Sequence, residues 1–249
     1  MKYIKIRYSQ LMLLAIILVL LFSATIVSCN DVPDKNSQTA DYSNREGSEV
    51  NSNIVLPEPN KDGKLSVEEA IDKRISRRDF LEEPLSKESI AQILWAAQGI
   101  SVDNVTGATR TAPSAGATYP IEIYLVAGEV ENIPEGIYHY KYQKHELHAV
   151  AEGDSREELS AAALGQDFIA SAPASIVLAA DYDRTTGRYG DRGVKYVHME
   201  IGHITQNIYL QAEALNMGTV AVGAFTDKKV QQLLKSQYEP LMITPIGKK

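Results

Sequence analysis

Between residues 66 and 246 the apolar positions switch repeatedly between helical and strand spacing. Ser66-Val67-Glu68-Glu69 is a capping box, in which the serine hydroxyl satisfies a first-turn N–H, and it predicts a short helix ending near Lys73. Pro84 breaks the chain. Ser86 then caps a second helix with apolar positions Ile90, Ile93, Leu94 and Ala97, stopped by Gly99. Residues 100–120, rich in Gly, Thr, Ser and Pro, read as a long loop, a kind of segment that usually carries function. Strands are predicted at Ile121–Ala127, Ile137–Tyr142 and Glu146–Val150, the last two forming a hairpin around Gln143-Lys144. A helix over Ser155–Leu164 precedes the continuous apolar run Ser175–Ala180, a buried strand.

The longest helical pattern runs from about Gly193 to Asn216. Val194, Val197, Ile201, Ile204, Ile208 and Leu215 recur at short helical intervals and mark a broad apolar face. Gly218 ends it and leads into an apolar strand over Thr219–Ala224. Asp227 caps a further helix, and Leu241–Ile246 makes a last strand. Interleaved helices and strands predict an α/β or α+β fold around one sheet.

The first 62 residues follow another logic. Lys2, Lys5 and Arg7 precede an uncharged stretch from Leu11 to Ser28, the layout of a secretory signal peptide. It ends in Ile26-Val27-Ser28-Cys29, which resembles the bacterial lipobox, with the only cysteine of the chain at the position that receives the lipid. The expectation is a signal peptide over 1–28 and lipidation at Cys29. The alternative is an uncleaved anchor, since 18 uncharged residues just span a bilayer. Either way the folded part is anchored to a membrane outside the cytoplasm. Residues 29–62 are polar, with three prolines and few large apolar side chains, and are expected to be a flexible tether; residues 63–249 form the folded domain.

Composition narrows the function. A net charge of −7 argues against nucleic acid as a partner, so any anionic ligand must be held by a local cluster of basic groups. A single cysteine excludes an internal disulfide and a cysteine-based metal site. Arg74-Ile75-Ser76-Arg77-Arg78-Asp79-Phe80 is one such cluster, because guanidinium forks and a hydroxyl suit a phosphate monoester; alone, it reads equally as a solvated surface. Ala112-Pro113-Ser114-Ala115-Gly116 lets backbone approach a flat ligand closely, or simply turns before a strand. Glu200, His203, Gln206 and Asn207 share a flank of the long helix. One Glu-x-x-His pair has too few ligands for a metal, so no metal is expected and a pocket or subunit contact is.

Taken in order, six segments resemble the nitroreductase superfamily. They are Arg74-x-Ser76-x-Arg78-x-Phe80, Pro113-Ser114-Ala115-Gly116 with Tyr119-Pro120, Tyr189-Gly190-Asp191-Arg192-Gly193, Glu200-x-Gly202-His203-x-x-Gln206-Asn207, Val222-Gly223-Ala224-Phe225 and Pro245-x-Gly247. The branch they resemble most is the SagB/ThcOx-type dehydrogenases, whose best-known members oxidise azolines in peptides to azoles. The resemblance implies an α+β fold with a mostly antiparallel central sheet packed by helices and a long central helix at a homodimer interface.

It also implies one FMN per subunit. Arg74 and Ser76 would hold the phosphate and ribityl chain, Arg78 the N1–O2 edge of the ring, and Pro113, Ser114 and Gly116 the pyrimidine side across the seam. Ala221, Val222, Gly223 and Ala224 would lie along the ring, and Lys248 near the phosphate. Lys195 and Tyr196 match a pair that removes a proton in the azoline-oxidising branch, although Lys195 pointing to solvent and Tyr196 packing is the alternative. The substrate would be a small molecule or a peptide.

Overall fold

The computed structural model describes residues 53–102 and 109–249. The expected signal peptide over 1–28 and the expected lipidation site Cys29 lie outside the described residues. Seven strands form one sheet in the order β1-β6-β5-β4-β7-β9-β8. Their ranges are β1 Ile54–Val55, β4 Ile121–Ala127, β5 Gly136–Lys141, β6 Glu146–Glu152, β7 Ala174–Ala180, β8 Met217–Thr219 and β9 Glu239–Lys248; β2 Ile100–Val102 and β3 Thr109–Arg110 pair separately. Every strand pair is antiparallel, as expected for an α+β fold of this kind. Strand β7 is central and buried at every position, which explains its unbroken apolar run.

Helices cover both faces. Helices α1 (Val67–Lys73) and α2 (Lys87–Gln98) start as predicted, with Ser66 Oγ accepting from the Glu69 N–H at 3.1 Å and Ser86 Oγ from Ser89 at 3.2 Å. The long helix α6 (Arg192–Ala214) packs against α1 and α2, burying Val197, Ile201, Ile204 and Ile208. On the other face lie α3 (Arg156–Ala162), α4 (Asp167–Ser171) and α7 (Asp227–Leu233), around a core of Leu159, Ile169, Val177, Val230 and Ile243.

Several expectations need correction. The strand over Thr219–Ala224 is β8 at Met217–Thr219 followed by a loop, joined to β9 only through a Val222–Ile243 bridge. Beyond Thr219 the chain leaves the outer edge of β9, and Val222 returns to it to exchange backbone hydrogen bonds with Ile243. Val194 is 38% exposed rather than on the buried face of α6. Two short helices, α4 and α5 (Asp183–Tyr189), have too few apolar positions to show a period. The folded domain begins before residue 63. Residues 54 and 55 pair with β6, Leu56 is 4% exposed, and the Asn60 N–H donates to Gln92 Oε1 at 2.8 Å. Two apolar residues, Ile54 and Leu56, suffice because β6 offers them an open edge.

Candidate active site

The Arg74–Phe80 segment leaves α1 and runs along the end of the sheet. The Arg77 N–H donates to Thr219 O, and Leu81 N–H to Lys248 O, both at 3.0 Å. Gly218 and Gly247 make this approach possible. A Cβ would lie 2.9 Å from the Arg77 side chain at the first and 2.7 Å from Phe80 at the second. The Pro-x-Gly motif near the C-terminus is therefore the seat of Phe80.

Tyr209 of α6 joins this segment to the 221–224 loop. Its hydroxyl accepts from the Ala221 N–H at 2.8 Å and lies 2.9 Å from Ser76 Oγ, while the Arg74 guanidinium sits 5.3 Å from its ring centroid. Arg78 lies over Phe168 of α4 at 5.7 Å, and Gln166, just before α4, donates to Ala224 O at 2.9 Å. Thus Arg74, Ser76, Arg78 and Ala221–Ala224 are brought together. Val222 exchanges both backbone hydrogen bonds with Ile243, which leaves Gly223 exposed, with nothing within 4 Å of where a Cβ would stand. Neither Tyr209 nor Phe168 stood out in the sequence, because each merges into an apolar pattern.

Lys248 does not join this group. Its ammonium is 2.9 Å from Glu83, whereas Lys249 pairs with the buried Glu213, which Arg77 approaches at 3.8 Å. Alternation along β9 turns the two lysines to opposite faces.

Pro113, Ser114 and Gly116 belong to a second group around the middle of α6. Ser114 Oγ accepts from the Tyr119 N–H at 2.9 Å, Pro113 O lies 3.3 Å from His203 Nδ1, and Gly116 O accepts from Arg188 at 3.0 Å. With Tyr196, Met199, Glu200 and His203 this loop lines a cavity of about 260 Å³. Tyr196 meets Tyr189 edge to face at 5.1 Å, while Lys195 is exposed. Glu200 is buried and accepts from Gln98 at 3.0 Å; Gln98 in turn accepts from Arg110, whose guanidinium lies between Tyr119 and Tyr142. Burial pushes the Glu200 carboxyl above the usual carboxylate range. Asn207 donates to Ala96 O and Thr111 O, a purely structural pair of bonds. Among the described residues no three acidic, histidine or cysteine groups gather as a metal site would need.

The two groups occupy different flanks of α6. His203 and Tyr209 are six residues apart, which puts them about 120° apart around the helix axis. Within one chain they do not close around a common cavity.

An antiparallel sheet flanked by a long helix, with a basic segment and a glycine loop at one end, is the arrangement of the nitroreductase family. The family model for nitroreductases matches residues 71–248, and the chain belongs to that family. It is 43% identical over 185 residues to a Methanocaldococcus jannaschii protein that carries the name nitroreductase, covering 74% of this chain and 92% of the relative. It is 27% identical over 146 residues to the microcin B17-processing protein McbC of Escherichia coli, covering 55% of this chain and 54% of that protein. Among solved structures, a nitroreductase-named protein of Ralstonia eutropha superposes with a TM-score of 0.68 at 27% identity, over 79% of this chain and 89% of that one. The chain is a nitroreductase-family oxidoreductase.

Proposed function

We propose that this protein is an FMN-dependent oxidoreductase of the SagB/ThcOx-type dehydrogenase branch, acting as a homodimer on an organic substrate outside the cytoplasm. The observation that carries the reading is the junction at Tyr209, which ties Ser76 to Ala221 across 145 residues of sequence and brings Arg74, a hydroxyl and the loop with its open glycine together. That donor set suits a phosphate and a flat ring. When Tyr209 donates to Ser76, the serine proton is left for an anion. Arg74 shares this patch, Arg78 supplies positive charge further along it, and Gly223 lets backbone approach without a side chain.

FMN would supply a ring that accepts hydride. The chain's own residues would do the rest. Pro113, Ser114 and Gly116 would come from the partner subunit, since within one chain they lie on another flank of α6. Tyr196, at the cavity, is placed to hold or pass the substrate proton; Lys195, exposed in the single chain, would have to be covered by the partner to act as a base. Export favours an organic hydride donor over the cytoplasmic nicotinamide pool. Lipidation at Cys29 predicts that Cys29→Ala abolishes fatty-acid labelling and releases the protein from membranes; unchanged attachment would instead mean an uncleaved anchor.

Protein incubated with FMN and desalted should keep a flavin absorption band at about one per chain, and a colourless product would refute the cofactor. A conventional NAD(P)H-dependent nitroreductase is the second reading, favoured by the name and near-complete coverage of the 43% identical relative. Anaerobic stopped-flow separates the two: rapid bleaching of bound flavin by NADPH, followed by transfer to a nitroaromatic, installs the second reading.

A further inference from the structure

Pairing of the arginines sorts them by task. Arg77, Arg156 and Arg184 each lie within 4.0 Å of a carboxylate, and Arg110 is buried against Gln98. Among the described residues that leaves Arg74 and Arg78, at the first group, and Arg188 and Arg192, which the flavin reading does not use.

Arg192 lies beside Tyr196, and Arg188 lies over Tyr189, the neighbour of Tyr196. Arg188 donates to Gly116 O, and the left-handed Gly116 (φ 59°) leaves room for it: a Cβ there would stand 2.7 Å from Arg188 Nη1 and 2.4 Å from Tyr189 Oη. Tyr189 meets Tyr196 edge to face, and the Arg192 guanidinium is 5.7 Å from the Tyr196 ring centroid. Both arginines are exposed, Arg192 beside Tyr196 and Arg188 against Gly116, which follows Ala115 in the chain, and Tyr196 and Ala115 line the cavity. Arg192 also opens α6, whose first turn has no acidic residue. A cation at the positive end of a 23-residue helix is opposed by the helix dipole, an arrangement relieved when an anion arrives. The neighbouring carboxylate, Asp191, is exposed and within 4.0 Å of neither arginine.

The cavity itself is asymmetric. Pro113, Ala115, Met199 and Tyr196 offer an apolar wall, and Glu200 sits buried on the inner side. A carboxylate would be repelled by Glu200 and drawn to the rim. We propose that this cavity takes a carboxylate-bearing organic substrate, its apolar body against Tyr196 and Met199 and its anionic end on Arg188 and Arg192. The inference deepens the oxidoreductase reading by naming the substrate class, and rests on it for the chemistry but not for the binding.

Equilibrium dialysis of the FMN-loaded full-length chain in detergent, against benzoate and its neutral isostere benzamide, tests it. Benzoate should bind about tenfold tighter than benzamide at low salt, and the preference should shrink as salt screens the exposed arginines. Arg192→Ala and Arg188→Gln, the latter keeping a donor for Gly116 O, should each reduce it and together abolish it, with FMN retention and melting temperature at parent values. Equal binding of the two probes by the parent, or a preference indifferent to salt, overturns the proposal without recourse to variants. So does loss of FMN in the variants with the preference intact, since the arginines would then be holding flavin phosphate. A chain that retains no FMN refutes the flavoprotein reading alone, because the same dialysis on the flavin-free chain still compares the two probes.

Discussion

Tyr209 concentrates the most consequence in one side chain. Its hydroxyl accepts the Ala221 N–H and bonds Ser76, so removing it leaves a partly buried donor without a partner and frees both segments. Tyr209→Phe is expected to lower stability by about 1–2 kcal/mol, in the range for an unsatisfied buried group. It should also weaken FMN retention, because Ser76 and the 221–224 loop lose their common support. Thermal melts with and without FMN check both effects; a variant that melts and binds as the parent does would show that the junction is incidental. At this scale the basic and glycine motifs were legible in the sequence, since Arg, Ser and Gly in fixed order carry chemistry that their neighbours do not. Tyr209 was not, because an aromatic residue on an apolar helix looks like core until its hydroxyl is seen to bond. Lys248 is the converse case: its residue type suits a phosphate contact, and in the folded chain its ammonium lies on Glu83.

Among the elements, strand β1 is the one most open to change. Two residues pair with β6, and His145 secures the chain just beyond them. The Pro57 carbonyl can only accept, so His145 Nε2 carries the proton and donates to it at 3.0 Å, while Nδ1 accepts from Tyr140 Oη at 2.8 Å. This needs the neutral ring. Burial holds the His145 imidazole below its ordinary 6.5, opposed by the Pro57 bond and by Glu58. The unfolded chain therefore takes up the proton first, so stability is complete above about pH 6.5 and declines as the pH falls below it. Hydrogen exchange at the Leu56 amide, which donates to His145 O, should accelerate between pH 6.5 and 5 beyond the intrinsic trend, and His145→Gln should remove that acceleration. No such difference between parent and variant would mean that the imidazole does not secure β1. Legibility at this scale followed element length. Helix α6 and strands β4 and β7 carry enough periodic positions to declare themselves. Strand β1, with two residues in a polar stretch, depends on an edge that only the folded sheet provides.

For the whole molecule, the placement of the two site groups would tie the proposed cofactor to the proposed assembly. Val67 and Ile71, one turn apart on α1, are 64% and 56% exposed on a helix that packs against α6. An apolar pair exposed in this way suits a partner surface. If a second copy covers them, its Pro113–Gly116 loop can reach the patch around Arg74 and Gly223 that the chain's own loop, on another flank of α6, does not. FMN affinity should then follow dimerisation. Ile71→Asp changes an exposed residue and should alter the stability of the single chain by no more than about 0.5 kcal/mol. In the dimer it buries an unpaired carboxylate, a cost large enough to separate the subunits. Light scattering should therefore report a dimer for the parent and a monomer for the variant, and the variant should lose FMN on desalting while keeping its secondary structure. Flavin should return to the variant in part at high protein concentration, where mass action restores the dimer. A monomeric variant that keeps FMN as tightly as the parent would show that one chain completes the site, and the shared groove would have to be abandoned.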